Sequence, residues 1–420
     1  CPDYYSRGCS YTRCTGIWQT VWLENVPELW IKNLKLTPDV DNSKLKIEAK
    51  LSGYVSEEDV VCTAFKDGKT VAVCKSKHSG DYINTEIHIE NPMLWNVLSP
   101  EIYDLEIKIC NDTVKSYFGM RKININGKKI EINGKSVFQR LVLDQQYFPD
   151  GIYTAKDDQT LKNDVMLGIE AGFNGARMHM KVFEPRFLYW ADMLGYIIWG
   201  EYPNWGIDDS NDLLLSVILP EWMEAMERDY NHPALIGWCP LNETSTNRSA
   251  VLHETLYKAT KAIDPYRPCI DTSGYVHAGY TDVYDVHDYE FDPEIIKNRY
   301  KPLNDGTPNN EIFANFKDVS GLYNGQPYFI SEFGGLLYDM EKDIQAWGYG
   351  KSPESEEEYM QRYEKVTAAI LDNPGICAFC YTQLTDVEQE KNGVYTYNRE
   401  KKFDMTRIRN ANMRKAAIED

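Results

Sequence analysis

The stretch LIGWCPLNET, Leu235 to Thr244, opens as a buried strand and closes on a carboxylate. Leu235, Ile236 and Trp238 suit a core strand, and Asn242 and Glu243 stand where the apolar run stops. The stretch YFISEFGG, Tyr328 to Gly335, repeats the pattern and presents Glu332 just before a Gly-Gly turn. Polar groups at the ends of core strands cost free energy unless they bind something, so these strand ends are the first place to look for chemistry.

Working outward from these two stretches, short apolar runs alternate with helical periodicity. Eight strand candidates fall at 138–145, 173–179, 196–203, 234–243, 269–273, 283–289, 328–333 and 376–384. Helical patterns lie around 161–171, 185–194, 214–230, 251–263 and 355–371, with the remaining crossovers inferred. Ser355 followed three residues later by Glu358 has the form of a capping box. Eight βα units over some 250 residues or more imply a (β/α)₈ barrel.

Upstream the rhythm is all-β. From about Pro27 to Lys122, runs such as SKLKIEAKLSG and IYDLEIKIC alternate between turn signals including Asp67-Gly68 and Ser79-Gly80. This spacing implies an immunoglobulin-like β-sandwich over 25–122, ahead of a barrel over 123–420. The segment TGIWQTVWLE, Thr15 to Glu24, reads as a β-rich piece with nothing before it to pair with.

The 420 residues are too many for one ordinary core. The formal net charge of −19 argues against nucleic acid or an anionic membrane as partner, since both need a basic face. No run approaches the ~20 apolar residues of a membrane span. Ten Trp and 29 Tyr suit large cores, or rings that stack on sugars. Cys377 and Cys380 have CxxC spacing but lie inside the apolar run GICAFCYT, so they read as buried small hydrophobes in a reducing compartment. A cytoplasmic location is the expectation, and homo-oligomerisation is left open.

In a (β/α)₈ barrel the functional groups gather at the C-terminal strand ends. Strand four brings Asn242 and Glu243, and strand seven brings Glu332. The other ends add Asp144, Arg177 and His179, Glu201, His287 and Tyr289, and Tyr381 and Gln383. Two carboxylates flanking one point suit glycoside hydrolysis, one as acid and base, the other as nucleophile. Arg177 or Tyr289 beside Glu332 would keep it ionised.

NHPALIGWCPLNE (Asn231 to Glu243), NGARMH (Asn174 to His179), SEFGG (Ser331 to Gly335) and FGMRKI (Phe118 to Ile123) together resemble glycoside hydrolase family 2, the family of β-galactosidases, β-glucuronidases and β-mannosidases. The resemblance implies Glu243 as acid/base, Glu332 as nucleophile, Asn242 at the sugar 2-hydroxyl and Tyr289 on the nucleophile. Tyr381 matches a position where many members stack a Trp on the sugar. TGIWQTVWLE resembles the last strand of the family's N-terminal jelly-roll domain, which makes residues 1–24 its expected remnant. Met180 and Lys181 replace the usual Tyr-Pro of the second-strand signature. Glucuronide-cleaving members carry an Asn-x-Lys pair, and QEKNGVYTYN (Gln389 to Asn398) lacks it. Some galactosidases bind a metal through Glu-x-His, whereas Glu201-Tyr202-Pro203 has no His, so no metal is expected. A neutral β-glycoside, β-galactoside first, is the expected substrate. The alternatives are a β-glucuronidase or β-mannosidase of the same family, a non-catalytic carbohydrate-binding scaffold on this fold, and an endo-acting enzyme on a similar barrel.

Overall fold

A computed structural model describes residues 5–341 and 343–419. The first module is built from β1 (Ile31–Asp39), β2 (Lys44–Lys66), β3 (Lys69–His88), β4 (Tyr103–Ile109) and β5 (Asp112–Phe118). β2 and β3 each run through a point where the sequence suggests a break. Their register shifts between Lys50 and Val55 and again before Glu58, with Val55 opposite Gly80. Ser79-Gly80 is therefore a bulge inside one long strand, not a turn between two, because Gly80 adopts φ 120° there. Beyond the bulge, β2 exchanges its neighbour β1 for β4, so each long strand serves both layers. Leu45, Ile47, Val60, Cys62, Leu105 and Ile107 bury their side chains in one core between them.

A three-stranded sheet of β6 (Ile123–Asn126), β7 (Lys129–Ile132) and β8 (Lys135–Ser136) leads into the barrel and packs Ile123, Ile130 and Ile132 into the barrel core. The barrel strands are β9 (Gln139–Asp144), β10 (Gly175–Met178), β11 (Ile197–Glu201), β12 (Leu235–Cys239), β13 (Tyr284–Asp288), β14 (Tyr328–Phe333) and β15 (Ile376–Tyr381). They pair in parallel in the order β12-β11-β10-β9-β15-β14-β13. The expected strand at 269–273 completes the circuit irregularly. It bridges β12 through Trp238–Cys269 and Asn242–Ser273, with Ile270 N on Trp238 O at 2.9 Å and Ser273 N on Leu241 O at 2.8 Å. On its other flank the link to β13 runs through a side chain, Gly274 N donating to Asp285 Oδ2 at 2.9 Å. Asp285 takes the place of a backbone partner there, so no regular ladder forms.

Among the described residues seven α-helices surround the barrel: α1 (Asp158–Glu170), α2 (Pro185–Leu194), α3 (Leu215–Asp229), α4 (Ala250–Ile263), α5 (Pro293–Tyr300), α6 (Glu356–Leu371) and α7 (Met405–Asn412). Ser355 caps α6 by accepting from Glu358 N at 3.2 Å. α5 and α7 escape the periodicity because they are eight residues long, yet both carry a start signal in an Asp cap, Asp292 and Asp404. Inside the barrel Trp199 lies so close to β12 that a Cβ at Gly237 would stand 2.4 Å from its ring. The Gly in LIGWC is thus a requirement of that approach.

The sandwich grips the start of β12. Asn231 accepts from Leu36 N at 2.7 Å and donates to Leu34 O at 2.8 Å. Arg121 donates to Pro233 O at 2.5 Å and to Leu235 O at 2.8 Å. The first half of NHPALIGWCPLNE is therefore a docking element and the second half carries the mouth residues.

Thr15–Glu24 forms no strand, against the sequence expectation. It runs extended, with Gln19 donating to Val182 O at 2.9 Å and Ile17, Val21, Trp22 and Leu23 exposed. Among the described residues no helix is long and apolar enough to cross a membrane.

Candidate active site

Arg177, fully buried at the end of β10, organises the mouth. Its Nε donates to Glu201 Oε2 at 2.7 Å and its Nη1 to Ser331 O at 2.8 Å. Nη2 lies 2.7 Å from Glu332 Oε1, 2.9 Å from Asn242 Oδ1 and 2.8 Å from His179 Nδ1. One guanidinium thereby ties together the ends of four strands. Glu201 also accepts from Met180 N at 2.9 Å and faces His179 Nδ1 at 3.3 Å.

Glu332 is ringed by donors. Tyr289 donates its hydroxyl to Oε2, and His287 Nε2 stands 3.4 Å from Oε1. Tyr289 is held flat against Tyr349, ring centroids 3.5 Å apart. Burial alone would raise the Glu332 carboxyl, but His287, Arg177, His179 and the Tyr289 hydroxyl outweigh it and hold it down at about 2. The Gly-Gly turn after it is also explained. Gly334 sits at φ 77° and passes so close to Tyr381 that a Cβ would meet its ring at 2.3 Å.

Glu243 is set differently. Its backbone takes φ 47°, a left-handed conformation uncommon for a residue with a Cβ, and its N donates to Ser273 O at 2.9 Å. Its Oε1 lies 2.7 Å from His287 Nδ1, and Tyr275 stands near it. Against the opposing demands of burial, Glu332 and Glu243 raise the His287 imidazole above its ordinary value. One oxygen of Glu243, one of Glu332 and a ring nitrogen of His287 all lie within 4.8 Å of one another. By distance alone this trio could hold a cation, but Glu332 Oε1 already takes the Arg177 charge. Asn242 Nδ2 is buried and bonds to no group of the chain among the described residues. A buried amide donor ordinarily finds an acceptor.

The structure thus gathers Glu243, Glu332, Arg177, His179, Glu201, Asn242, His287 and Tyr289. It does not gather Asp144 or Tyr381. β9 alternates, with Gln139 reaching Trp199 inside the barrel and Arg140 reaching Asn412 outside. Asp144 shares the parity of Arg140. It turns toward the helix layer, where burial first and Asp164 next push its carboxyl up to about 7. Tyr381 likewise faces outward, its hydroxyl 2.5 Å from that of Tyr359 on α6. Both expectations fail because residues at a strand end point alternately to either side of the sheet.

Gln383 sits at the rim in a network that sequence reading did not find. Gln145 Nε2 donates to Gln383 Oε1 at 2.9 Å and to the Tyr11 hydroxyl at 2.6 Å. Gln383 Nε2 donates to Asn392 Oδ1, and Asn392 Nδ2 to Glu390 Oε1, both at 2.8 Å. Tyr11 donates to the other oxygen of Glu390. Burial pushes Glu390 up to about 7, the field of Glu332 adding to it. Residues 6–12 cross the rim here, Ser6 and Thr12 both bonding Glu388. Ser273 and Asp285 also went unnoticed, although the polar run DTSG after CIDTS's apolar start carried the same signal as LNE. Tyr349 lies in a loop and left no periodic trace.

The sandwich, the barrel and the two glutamates at its mouth define the architecture of one class of barrel proteins. The description "Glycosyl hydrolases family 2" matches residues 29–121, and "Glycosyl hydrolases family 2, TIM barrel domain" matches residues 122–365. The chain belongs to glycosyl hydrolases family 2. Among curated relatives, the beta-galactosidase of Lactococcus lactis subsp. lactis is 27% identical over 272 residues, covering 61% of this chain and 26% of the relative. That of Enterobacter cloacae is 25% identical over 315 residues, covering 67% and 30%. The chain thus spans less than a third of the length of these relatives. Among solved structures, a beta-glucuronidase of Lactobacillus rhamnosus superposes with a TM-score of 0.76 at 18% identity, covering 93% of this chain and 68% of that one. A GH2 beta-galacturonidase of Eisenbergiella tayi superposes at 0.74 and 18%, covering 92% and 73%. At such identities these structures speak for the fold alone.

Proposed function

We propose that the chain carries the barrel of a retaining exo-β-glycosidase acting on terminal neutral β-glycosides, β-galactosides first. The observation that carries this reading is the pairing of two carboxylates within 4.8 Å in unlike surroundings. Retaining enzymes hold theirs about 5–5.5 Å apart, inverting ones farther. Glu332, kept ionised by Arg177 and steadied by Tyr289, attacks the anomeric carbon. Glu243 protonates the leaving oxygen and then deprotonates the water that releases the sugar. Asn242, whose Nδ2 is buried without a partner among the described residues, binds the sugar 2-hydroxyl in this reading.

Two observations favour a neutral sugar. The curated relatives named above are beta-galactosidases. In the stretch that would grip a uronate the Glu390 carboxyl is buried, and two of the nearby basic residues, Arg399 and Lys402, are engaged elsewhere. Arg399 pairs with Asp164 at 3.1 Å and Lys402 with Asp386 at 2.8 Å. Where Glu390 is ionised, above about pH 7, a uronate beside it would bury like charges together, at a cost of several kcal/mol. The partner is thus a carbohydrate, and the charge of −19 tells against nucleic acid.

The test compares kcat/KM for nitrophenyl β-galactoside, β-glucoside, α-L-arabinopyranoside and β-glucuronide. A neutral glycoside is expected to lead, and a leading glucuronide would refute the substrate assignment. A 2-fluoro glycoside of the best sugar should label Glu332, and a label elsewhere would refute the nucleophile.

A further inference from the structure

Behind His287 runs a chain of polar groups that the reaction as derived does not use. Ser273 Oγ lies 3.1 Å from His287 Nε2 and 3.1 Å from Asp285 Oδ2. Asp285 Oδ2 also receives Gly274 N at 2.9 Å and the hydroxyl of Ser331. With donors converging on it, this oxygen can only accept. On the far side His277 places Nε2 2.8 Å from Asp285 O and 3.3 Å from Oδ1, with Nδ1 2.7 Å from Asp271. Burial alone would lower the His277 imidazole, but Asp271 and Asp285 raise it to about 9. A cation therefore stands beside Asp285 at neutral pH.

The Ser273 hydroxyl has one proton to give. Burial raises the Asp285 carboxyl, but the His277 cation, His287, the Ser331 hydroxyl and Gly274 N favour its charged form, and a hydrogen bond to a charged acceptor is about twice as strong as one between neutral groups. The other available acceptor, Ser331 Oγ, is neutral and more distant at 3.3 Å. With its proton on Asp285, Ser273 Oγ presents lone pairs to His287 Nε2. Glu332 Oε1 faces the same nitrogen at 3.4 Å and also only accepts. Nε2 is thus surrounded by acceptors and must carry a proton. The state of the ring is then decided at Nδ1, opposite Glu243.

We propose that Ser273, held by Asp285, is a positioning residue that locks His287 with its proton on Nε2, so that a single further proton is shared between Nδ1 and Glu243. The inference rests on the reading of Glu243 as acid/base. In the resting state that shared proton is the one delivered to the leaving oxygen as the glycosidic C–O bond breaks and Glu332 bonds to the sugar. The pair is left with a carboxylate facing an Nδ1 lone pair and no proton between them. Their repulsion raises the demand for a proton, which the attacking water supplies as it displaces Glu332. The same lock thus serves the acid step and the base step.

The groups facing the His287 ring are Glu243, Glu332, Arg177 and Tyr275, with Asp285 and His277 acting through Ser273. Two measurements test the lock. In ¹⁵N-histidine NMR spectra of the intact chain, the His287 Nε2 should be of protonated type from neutral pH into the alkaline range, and Ser273→Ala should introduce the Nδ1-protonated tautomer. An unprotonated Nε2 in the unaltered protein overturns the proposal even if the variant fails to fold. In kinetics, Ser273→Ala should lower kcat/KM roughly tenfold or more for the methyl glycoside of the preferred sugar and far less for its dinitrophenyl glycoside, since general acid catalysis is worth ~10²–10⁴-fold. Its alkaline limb should move to lower pH. Equal losses for both substrates with an unmoved limb overturn the lock, provided Glu243→Ala discriminates between them. If Glu243→Ala does not discriminate, the acid/base reading falls and the lock falls with it.

Discussion

Arg177 Nη2 stands 2.7 Å from Glu332 Oε1 while the same guanidinium spans Glu201, Asn242 and the carbonyl of Ser331. Glu332 therefore owes its position and part of its ionised state to this side chain, with His287, His179 and the Tyr289 hydroxyl supplying the rest. Arg177→Ala should leave Glu201 and Glu332 buried without their cation, destabilising the fold by about 3–5 kcal/mol. The sign of the pH effect follows from the depressed Glu332. Its charge stabilises the fold above the ordinary 4.5, and that contribution is lost as pH falls through about 2. Unfolding titrations of wild type and Arg177→Ala should converge as pH drops through this window. Parallel curves would show that Arg177 does not hold the Glu332 charge.

Glu243→Ala should lose most with poor leaving groups and least with activated aryl glycosides, because the latter need little protonation. Azide should partly restore turnover of an activated substrate by replacing the water that Glu243 activates. Rates with and without azide on a graded series of aryl glycosides decide this. Uniform loss without rescue is the contrary outcome.

Glu390→Gln should keep the hydrogen bond from Asn392 and remove the charge. Relative kcat/KM for a β-glucuronide over the neutral glycoside should rise by about tenfold, the effect of ~1.4 kcal/mol. Here the pH sign is reversed. A carboxyl raised to about 7 favours folding below its ordinary 4.5, and that advantage is lost as pH rises from there through 7. Glu390→Gln should therefore flatten the stability profile between these values, which chemical denaturation at several pH values would show.

Chelation should leave turnover unchanged. A bound divalent cation at Glu243, His287 and Glu332 would have to compete with Arg177 for Glu332 and with the proton between His287 and Glu243. A metal-reversible loss of activity in EDTA would contradict this.

Much of the mouth was legible because polar residues interrupt apolar strands at equivalent points, as Asn242-Glu243 and Glu332 do. What pattern alone could not supply was direction. Asp144 and Tyr381 satisfy the same rule, yet the two-residue period of the strand turns them to the helix layer. Nor could it supply partners remote in sequence, such as Tyr11 with Glu390 or Tyr349 with Tyr289. The long β2 and β3 were divided at Gly53 and Gly80 because a bulge and a turn ask for the same residue.

The grip of Arg121 on Pro233 O and Leu235 O, and of Asn231 on β1, has a mechanical reading. The strand that delivers Glu243 is clamped at its root by the neighbouring module, eight to twelve residues from the carboxylate. The sandwich then works as a splint for the barrel. Loosening that clamp would slacken β12 along its axis, blur the aim of Glu243 and disturb the bond from Arg177 to its neighbour Asn242. The two modules should in consequence lose their order together on heating, and a deletion of the sandwich would not leave a half-active barrel behind.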